Sequence, residues 1–260
     1  MSKTALITGA SAGIGLEFAR IHASKGDNLV LIARRGAMLA DVKSELESKF
    51  NISVYNIVKD LSVKGAAKEV YDEVKKQDIK IDYLINNAGF GDFGLFAGSK
   101  WEKQEDMINL NITALAHLTW LFLPEMISRG EGKILNVSSL AAFQPGPTMS
   151  VYFASKAFVL SFSEAINNEV RDKGITVTAL CPGSVESNFH AVVLGDPNLV
   201  KDRKMLKAKE IAEIGYRAMM KGKSVMIPGF KNAFLIFASR FAPRELIVRM
   251  ARKMQEKKNI

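Results

Sequence analysis

The chain has 260 residues, is 48% hydrophobic and carries a formal net charge of +9. This length and apolar content suit one large folded domain, and no Ser/Gly/Pro-rich stretch, charge block or internal repeat marks a linker or a second unit. The charge is uneven: Lys231 to Ile260 holds eight basic and two acidic residues, and with no recognised binding motif beside it, nucleic acid is not an expected partner.

Met1-Ser2-Lys3 runs directly into the strand-like Thr4–Thr8, which leaves no room for a secretory signal. The longest apolar runs, such as Ala233 to Ala238, fall far short of the ~18 residues that cross a bilayer. The single cysteine, Cys181, can form no intrachain disulfide and lies in the apolar run Val177 to Cys181, where it reads as a buried small hydrophobe. A cytoplasmic chain that does not span a membrane is expected.

Short β-branched apolar runs predict strands at 4–8, 28–33, 53–58, 82–86, 132–138, 175–181 and 224–227. Helical periodicity falls between them, at 14–24, 37–49, 63–77, 101–128, 151–172 and 208–221. The alternation predicts an α/β fold: a single doubly wound Rossmann domain with a seven-stranded parallel sheet and helices on both faces. Residues 1–229 form that domain, and 230–260 form a basic helical C-terminal extension of it. Ligands of such sheets bind beyond the carboxyl ends of the strands, where the winding reverses.

The first strand is followed by Thr8-Gly9-Ala10-Ser11-Ala12-Gly13-Ile14-Gly15 and then a helix. A strand, a glycine-rich turn and a helix N-terminus in that order suit a pyrophosphate, which takes backbone N–H bonds at the positive end of the helix dipole. The second strand ends in Ala33-Arg34-Arg35. There is no carboxylate here to repel a 2′-phosphate, and a guanidinium can bind one, so NADP(H) is expected over NAD(H), with Arg34 the better candidate.

Strand 4 ends in Asn86-Asn87-Ala88-Gly89, small residues and amides that could lie beside a nicotinamide ribose. Strand 5 ends in Asn136-Val137-Ser138-Ser139, which puts a hydroxyl at the ligand-binding edge. Tyr152 and Lys156, four apart, share one helix face. A nearby ammonium lowers a phenol's pKa from about 10, so the pair can donate or accept a proton at an alkoxide or alcohol. Pro182-Gly183 follows strand 6.

These motifs occur in order over residues 8 to 183, and the chain resembles the short-chain dehydrogenase/reductase family. The resemblance implies a glycine turn at Gly9, Gly13 and Gly15, with Ser11, Ala12 and Ile14 between them. It also implies an adenine-side contact at Asp60-Leu61 and cofactor contacts at Asn87, Ala88, Gly89, Pro182, Gly183 and Val185. Asn111 would anchor a water, and the thirteen-residue step to Tyr152 selects Ser139 over Ser138. In the family's mechanism Tyr152 is the general acid in reduction and the base in oxidation. Ser139 polarises the substrate oxygen, and Lys156 holds the nicotinamide ribose and lowers the tyrosine pKa. Tyr152 and Lys156 therefore also count as cofactor-binding residues. Two departures stand out: many members carry Thr after Pro-Gly, so Ser187 must supply that hydroxyl here, and the chain continues about thirty residues past Pro228-Gly229.

Leu140, Phe143, Met149 and Phe153, then Phe189, Val192, Val193 and Leu194, with Phe90 and Phe93 nearby, predict an apolar cleft. Such a wall suits a hydrophobic ketone, aldehyde, steroid-like or acyl compound. The alternative is a catalytically silent NADP(H)-binding regulatory or scaffold protein, which would be free to lose Tyr152 or Lys156; both are present. A homodimer or homotetramer is the expected assembly. The tail reads as two helices divided at Pro243, with Leu246, Ile247, Met250 and Met254 on one stripe. Docking of that stripe on the domain or on a second subunit is expected, with a membrane surface the less favoured partner.

Overall fold

Apolar residues on both sides of every strand can be buried only by a sheet covered on both faces, and this is the architecture found. The computed structural model describes residues 2–186 and 206–256. Its strands are β1 (Thr4–Thr8), β2 (Asn28–Ala33), β3 (Val54–Val58), β4 (Tyr83–Asn86), β5 (Gly132–Val137), β6 (Ile175–Leu180), the short β7 (Val185–Glu186) and β8 (Leu206–Lys207), and β9 (Val225–Met226). Seven of them form one sheet in the order β3-β2-β1-β4-β5-β6-β9, and every pairing is parallel. β7 and β8 pair separately, a small ribbon that the periodicity does not announce.

Alternation along the strands sorts the core into two layers. Ala5, Ile7, Leu29, Leu31 and Ile85 face α1 (Gly13–Ser24), α2 (Gly36–Lys49) and the helix Ala208–Met220. Leu6, Val30, Ile32, Leu84 and Ile134 face α3 (Ala66–Lys76) and α5 (Leu115–Arg129) on the other side. Each fully buried side chain of this size contributes roughly 1.5–3 kcal/mol. The winding reverses between β1 and β4, which are neighbours in the sheet, so the glycine turn and the end of β4 meet at one crevice.

One departure lies in the predicted 101–128 helix. It is α4 (Trp101–Ile108), a π-helical turn at Asn109–Ala114, and then α5. This unit, Trp101–Arg129, is long and apolar enough to cross a bilayer, which the run-length reading excluded. Leu118, Phe122 and Met126 are nevertheless buried against the sheet, so it is a core helix.

α6 (Ser150–Val170) completes the domain's central helices. In chain order the helix Ala208–Met220 is α7, and the tail supplies α8 (Phe230–Ser239) and α9 (Arg244–Glu256) on either side of Pro243. The α9 stripe, expected to dock on the domain or on a second subunit, is covered only in part within this chain. Ala251 and Gln255 are buried, whereas Leu246, Met250 and Met254 are exposed. Half-buried Ile247 lies on the inward side with Ala251 and Gln255, so the stripe is split between the two sides of α9.

Candidate active site

The turn after β1 is shaped by what its backbone must do. Gly9 and Gly13 have φ of +68° and +58°, in the left-handed region that side chains disfavour. Gly15 lies so close to the turn that a Cβ there would sit 2.3 Å from the Gly9 carbonyl oxygen. Ala12 caps α1 without a side-chain hydrogen bond, and no acidic residue occupies the first turn. First-turn N–H groups are therefore left for an anionic ligand. Ser11 is buried, and Ala12 and Ile14 are half-buried beside it.

The end of β4 is stapled to this turn through Thr8, a role the motif reading missed. The Asn87 and Ala88 backbone N–H groups both donate to Thr8 Oγ1 at 2.9 Å. Asn87 Nδ2 donates to the Thr8 carbonyl at 2.9 Å and to the Gly9 carbonyl at 3.3 Å. The Asn87 side chain thus holds the turn, and the small Ala88 and Gly89 follow it at the crevice.

At the end of β2 the two arginines diverge. Arg35 donates to Ser11 Oγ at 3.4 Å, which puts its guanidinium over the glycine turn. Arg34 is exposed and reaches Asp60 at 3.5 Å. Burial works to raise the Asp60 carboxyl, but hydrogen bonds from Ser62 and the charge of Arg34 outweigh it and hold the carboxyl below its ordinary range. Leu61 is buried in the core, as is Val185, so a ligand could meet either only through the main chain.

Beyond the turn, Ser139, Tyr152, Lys156 and Asn111 converge. The Ser139 side chain lies close enough to Tyr152 to act on its hydroxyl. Ser139 also caps the following turn, accepting from the Ala141 N–H at 3.1 Å and donating to the Pro182 carbonyl at 3.5 Å. Ser138 turns the other way and donates to the Lys156 carbonyl at 2.8 Å, pinning α6 to β5. Lys156 Nζ donates to the Val137 carbonyl at 2.9 Å and lies 5.9 Å from the centre of the Tyr152 ring. Asn111, in the π turn, clamps the Phe90 backbone from both sides: its Oδ1 accepts at 3.1 Å and its Nδ2 donates at 2.9 Å. The same Nδ2 donates to Ser155 Oγ at 3.0 Å. Gly89 makes the convergence sterically feasible, since a Cβ there would lie 2.9 Å from Asn111 Oδ1 and 3.3 Å from Lys156 Nζ. No pattern in the chain points to the π turn or to Ser155, because both matter only through this fold.

The expected lowering of the tyrosine pKa is also corrected. Burial dominates and pushes Tyr152 up to about 12, with the Ser139 hydrogen bond acting weakly downward. Burial likewise brings Lys156 down to about 8. The Lys156 ammonium bonds the Val137 carbonyl, and burial sets the direction at the phenol.

The expected apolar wall is only partly a wall. Met149 and Phe153 are buried with Tyr152 in a small cluster that supports the tyrosine, joined by half-buried Phe90 and Phe93. Phe143 packs toward Cys181, and half-buried Leu140 lies beside Gly183. Ser187, Phe189, Val192, Val193 and Leu194 lie outside the described residues.

A family model described as short chain dehydrogenase matches residues 3–196. The chain belongs to the short-chain dehydrogenase/reductase family. This family member is 37% identical over 191 residues to 17-beta-hydroxysteroid dehydrogenase type 3 of Mus musculus, a match covering 72% of this chain and 61% of that protein. It is 31% identical over 244 residues to very-long-chain 3-oxoacyl-CoA reductase of Homo sapiens, covering 92% of this chain and 73% of that protein. The chain thus spans less than two thirds of the length of the mouse relative. Among solved structures, it superposes on a short-chain dehydrogenase from Sphingobium yanoikuyae in complex with NADPH with a TM-score of 0.84, at 32% identity and 94% coverage of both chains.

Proposed function

We propose that this short-chain dehydrogenase/reductase is an NADP(H)-dependent oxidoreductase of hydrophobic carbonyl or alcohol compounds. The observation that carries the reading is the convergence of Ser139, Tyr152 and Lys156, with Lys156 Nζ 5.9 Å from the centre of the Tyr152 ring, next to the glycine turn. The turn fits a dinucleotide: Gly15 has no room for a side chain, and the first turn of α1 has free N–H groups. When bound, the nicotinamide exchanges the hydride. The chain's own residues handle the oxygen and its proton. Ser139 Oγ and the Tyr152 hydroxyl, side by side, can each turn their O–H toward one substrate oxygen. Tyr152, protonated well above neutral pH, gives its proton to that oxygen in reduction. Lys156 would hold the ribose and Asn111 would keep the Phe90 strand end in place, with Ala88, Gly89, Pro182 and Gly183 bordering the cofactor. A cytoplasmic homodimer or homotetramer is part of the proposal, and size-exclusion chromatography with light scattering checks the assembly.

The test is a panel of ketones, aldehydes, steroid-like and acyl carbonyl compounds, assayed by loss of NADPH absorbance. Turnover of apolar members is expected; activity confined to sugars or small acids would overturn the substrate class. Preference for NADPH would rest on the β2 arginines. Replacing Arg35 or Arg34 by Ala should weaken NADPH binding roughly ten- to hundredfold, the loss of one charge-assisted bond, while leaving NADH binding little changed. Arg35, bonded to Ser11 over the turn, should show the larger effect. Titration of both cofactors against each variant measures this, and equal losses for the two would remove the arginines from cofactor choice.

A further inference from the structure

α8 shows an unusual surface. Phe230, Phe234 and Phe237 recur at steps of four and three on one face of α8, and Phe241, in the turn just past its end, meets Phe237 edge-on with ring centres 5.5 Å apart. That face points outward: the four are 85%, 59%, 56% and 77% exposed. Leu235 on α8 and Leu246, Met250 and Met254 on α9 are also exposed. The opposite side of α8, with Asn232, Ala233 and Ile236 half-buried, faces the domain, and Asn232 Nδ2 donates to the Pro228 carbonyl at 2.9 Å. A contiguous aromatic face of this kind marks an interaction surface.

The charges around the patch select the partner. On α9, Arg249 pairs with Glu245 at 3.8 Å and Arg252 with Glu256 at 2.7 Å. Lys231, Arg240, Arg244 and Lys253 have no ion-pair partner among the described residues. A twofold contact between two copies would set this cationic rim against itself, a like-charge juxtaposition that opposes association. An anionic bilayer would take the phenylalanines into its interface and neutralise the rim.

The geometry points to the phenylalanine face of α8 and its basic rim as a docking surface for an anionic lipid bilayer. This surface adjoins the cleft. α8 packs against the turn Leu140–Phe143 that follows Ser139, and Asn232 Nδ2 lies 3.5 Å from where a Cβ on Gly183 would be. Docking would therefore bring the mouth of the site to the lipid, where apolar compounds concentrate. The inference does not rest on the proposed reaction, because it is read without turnover.

The experiment is co-sedimentation of the full chain with vesicles of phosphatidylcholine alone or with about 30% phosphatidylglycerol, at about 0.15 M and about 0.5 M salt. Binding is expected to the anionic vesicles, to fall at the higher salt, and to drop roughly tenfold or more in the double variant Phe234→Ser/Phe237→Ser. Lys231→Gln/Arg240→Gln should lose much of the preference for anionic lipid. These side chains are exposed, so the melting temperature of both variants should match that of the parent. Equal binding to both vesicle types, no binding, or parent-like binding by the phenylalanine variant would overturn the assignment. If the phenylalanine variant instead splits a parent dimer on size-exclusion chromatography while the parent ignores lipid, the face belongs to a second copy.

Discussion

Tyr152→Phe is expected to lower carbonyl reduction by at least about 10²-fold while NADPH binding changes little. The substitution keeps the ring, which is buried with Met107, Ala141, Met149 and Phe153, so the support of the site survives. It removes the phenolic hydroxyl, which burial keeps protonated beside Ser139. The phenol is already protonated at neutral pH at its ordinary pKa of about 10, and burial keeps it so, which supplies the donor form without making it a stronger acid; the opposite direction, alcohol oxidation, should be favoured by rising pH. Neither Ser139 nor Lys156 can replace it: the serine hydroxyl is a far weaker acid, and the lysine amine is committed to the Val137 carbonyl at 2.9 Å. Steady-state kinetics with NADPH and the best carbonyl from the panel, alongside cofactor titration, measure the effect. Near-normal turnover in the variant would sink the proton-transfer role.

Gly15→Ala should damage stability and cofactor binding together. The added Cβ would stand 2.3 Å from the Gly9 carbonyl oxygen, 2.5 Å from Asn87 Nδ2 and 2.9 Å from the Gly9 carbonyl carbon. Two of these are backbone atoms in a turn already held by Asn87, and Gly9 N–H donates to the Ile32 carbonyl at 2.8 Å. Neither side can yield cheaply, so a stability loss of about 3 kcal/mol, the upper end for overpacking, is expected. The same displacement would move the first turn of α1 away from the glycine turn, so NADPH affinity should fall by about 10²-fold or more, the scale of several lost backbone bonds. Gly26→Ala supplies the contrast. Gly26 has φ +81° with nothing within 4 Å, so only backbone strain of about 1–2 kcal/mol applies and NADPH binding should be unchanged. Thermal melting and calorimetric titration of the two variants separate the cases, and parent-like cofactor binding by Gly15→Ala would contradict the close-approach argument.

Much of this molecule is legible along the chain because the relevant forces are local or repeat at a fixed period. Runs such as Leu29 to Ile32 are apolar on both faces, and only a covered parallel sheet accommodates them, so the strands appear within a residue of their expected ends. The order strand, glycine turn, helix places Gly9 to Gly15 at the crevice without any knowledge of distant contacts, and the Tyr152–Lys156 step places both on one helix face. What lies outside this reach depends on residues far apart in sequence. The π turn at Asn109–Ala114 sits where Asn111 must reach Phe90 and Ser155, contacts that exist only once α4, α6 and the end of β4 have assembled. Spacing shows that Lys156 is near Tyr152, but the direction of the Tyr152 pKa depends on how deeply the fold buries the phenol and on Val137 taking the ammonium. Arg34 and Arg35 are indistinguishable as neighbours in sequence; the path of β2 gives one to Asp60 and the other to Ser11. The tail follows the same rule. Periodicity determined that 230–256 would form amphipathic helices, but which stripe faces inward was decided by the surface each helix meets, and that surface buries Ala251 and Gln255 while leaving the phenylalanines of α8 in water.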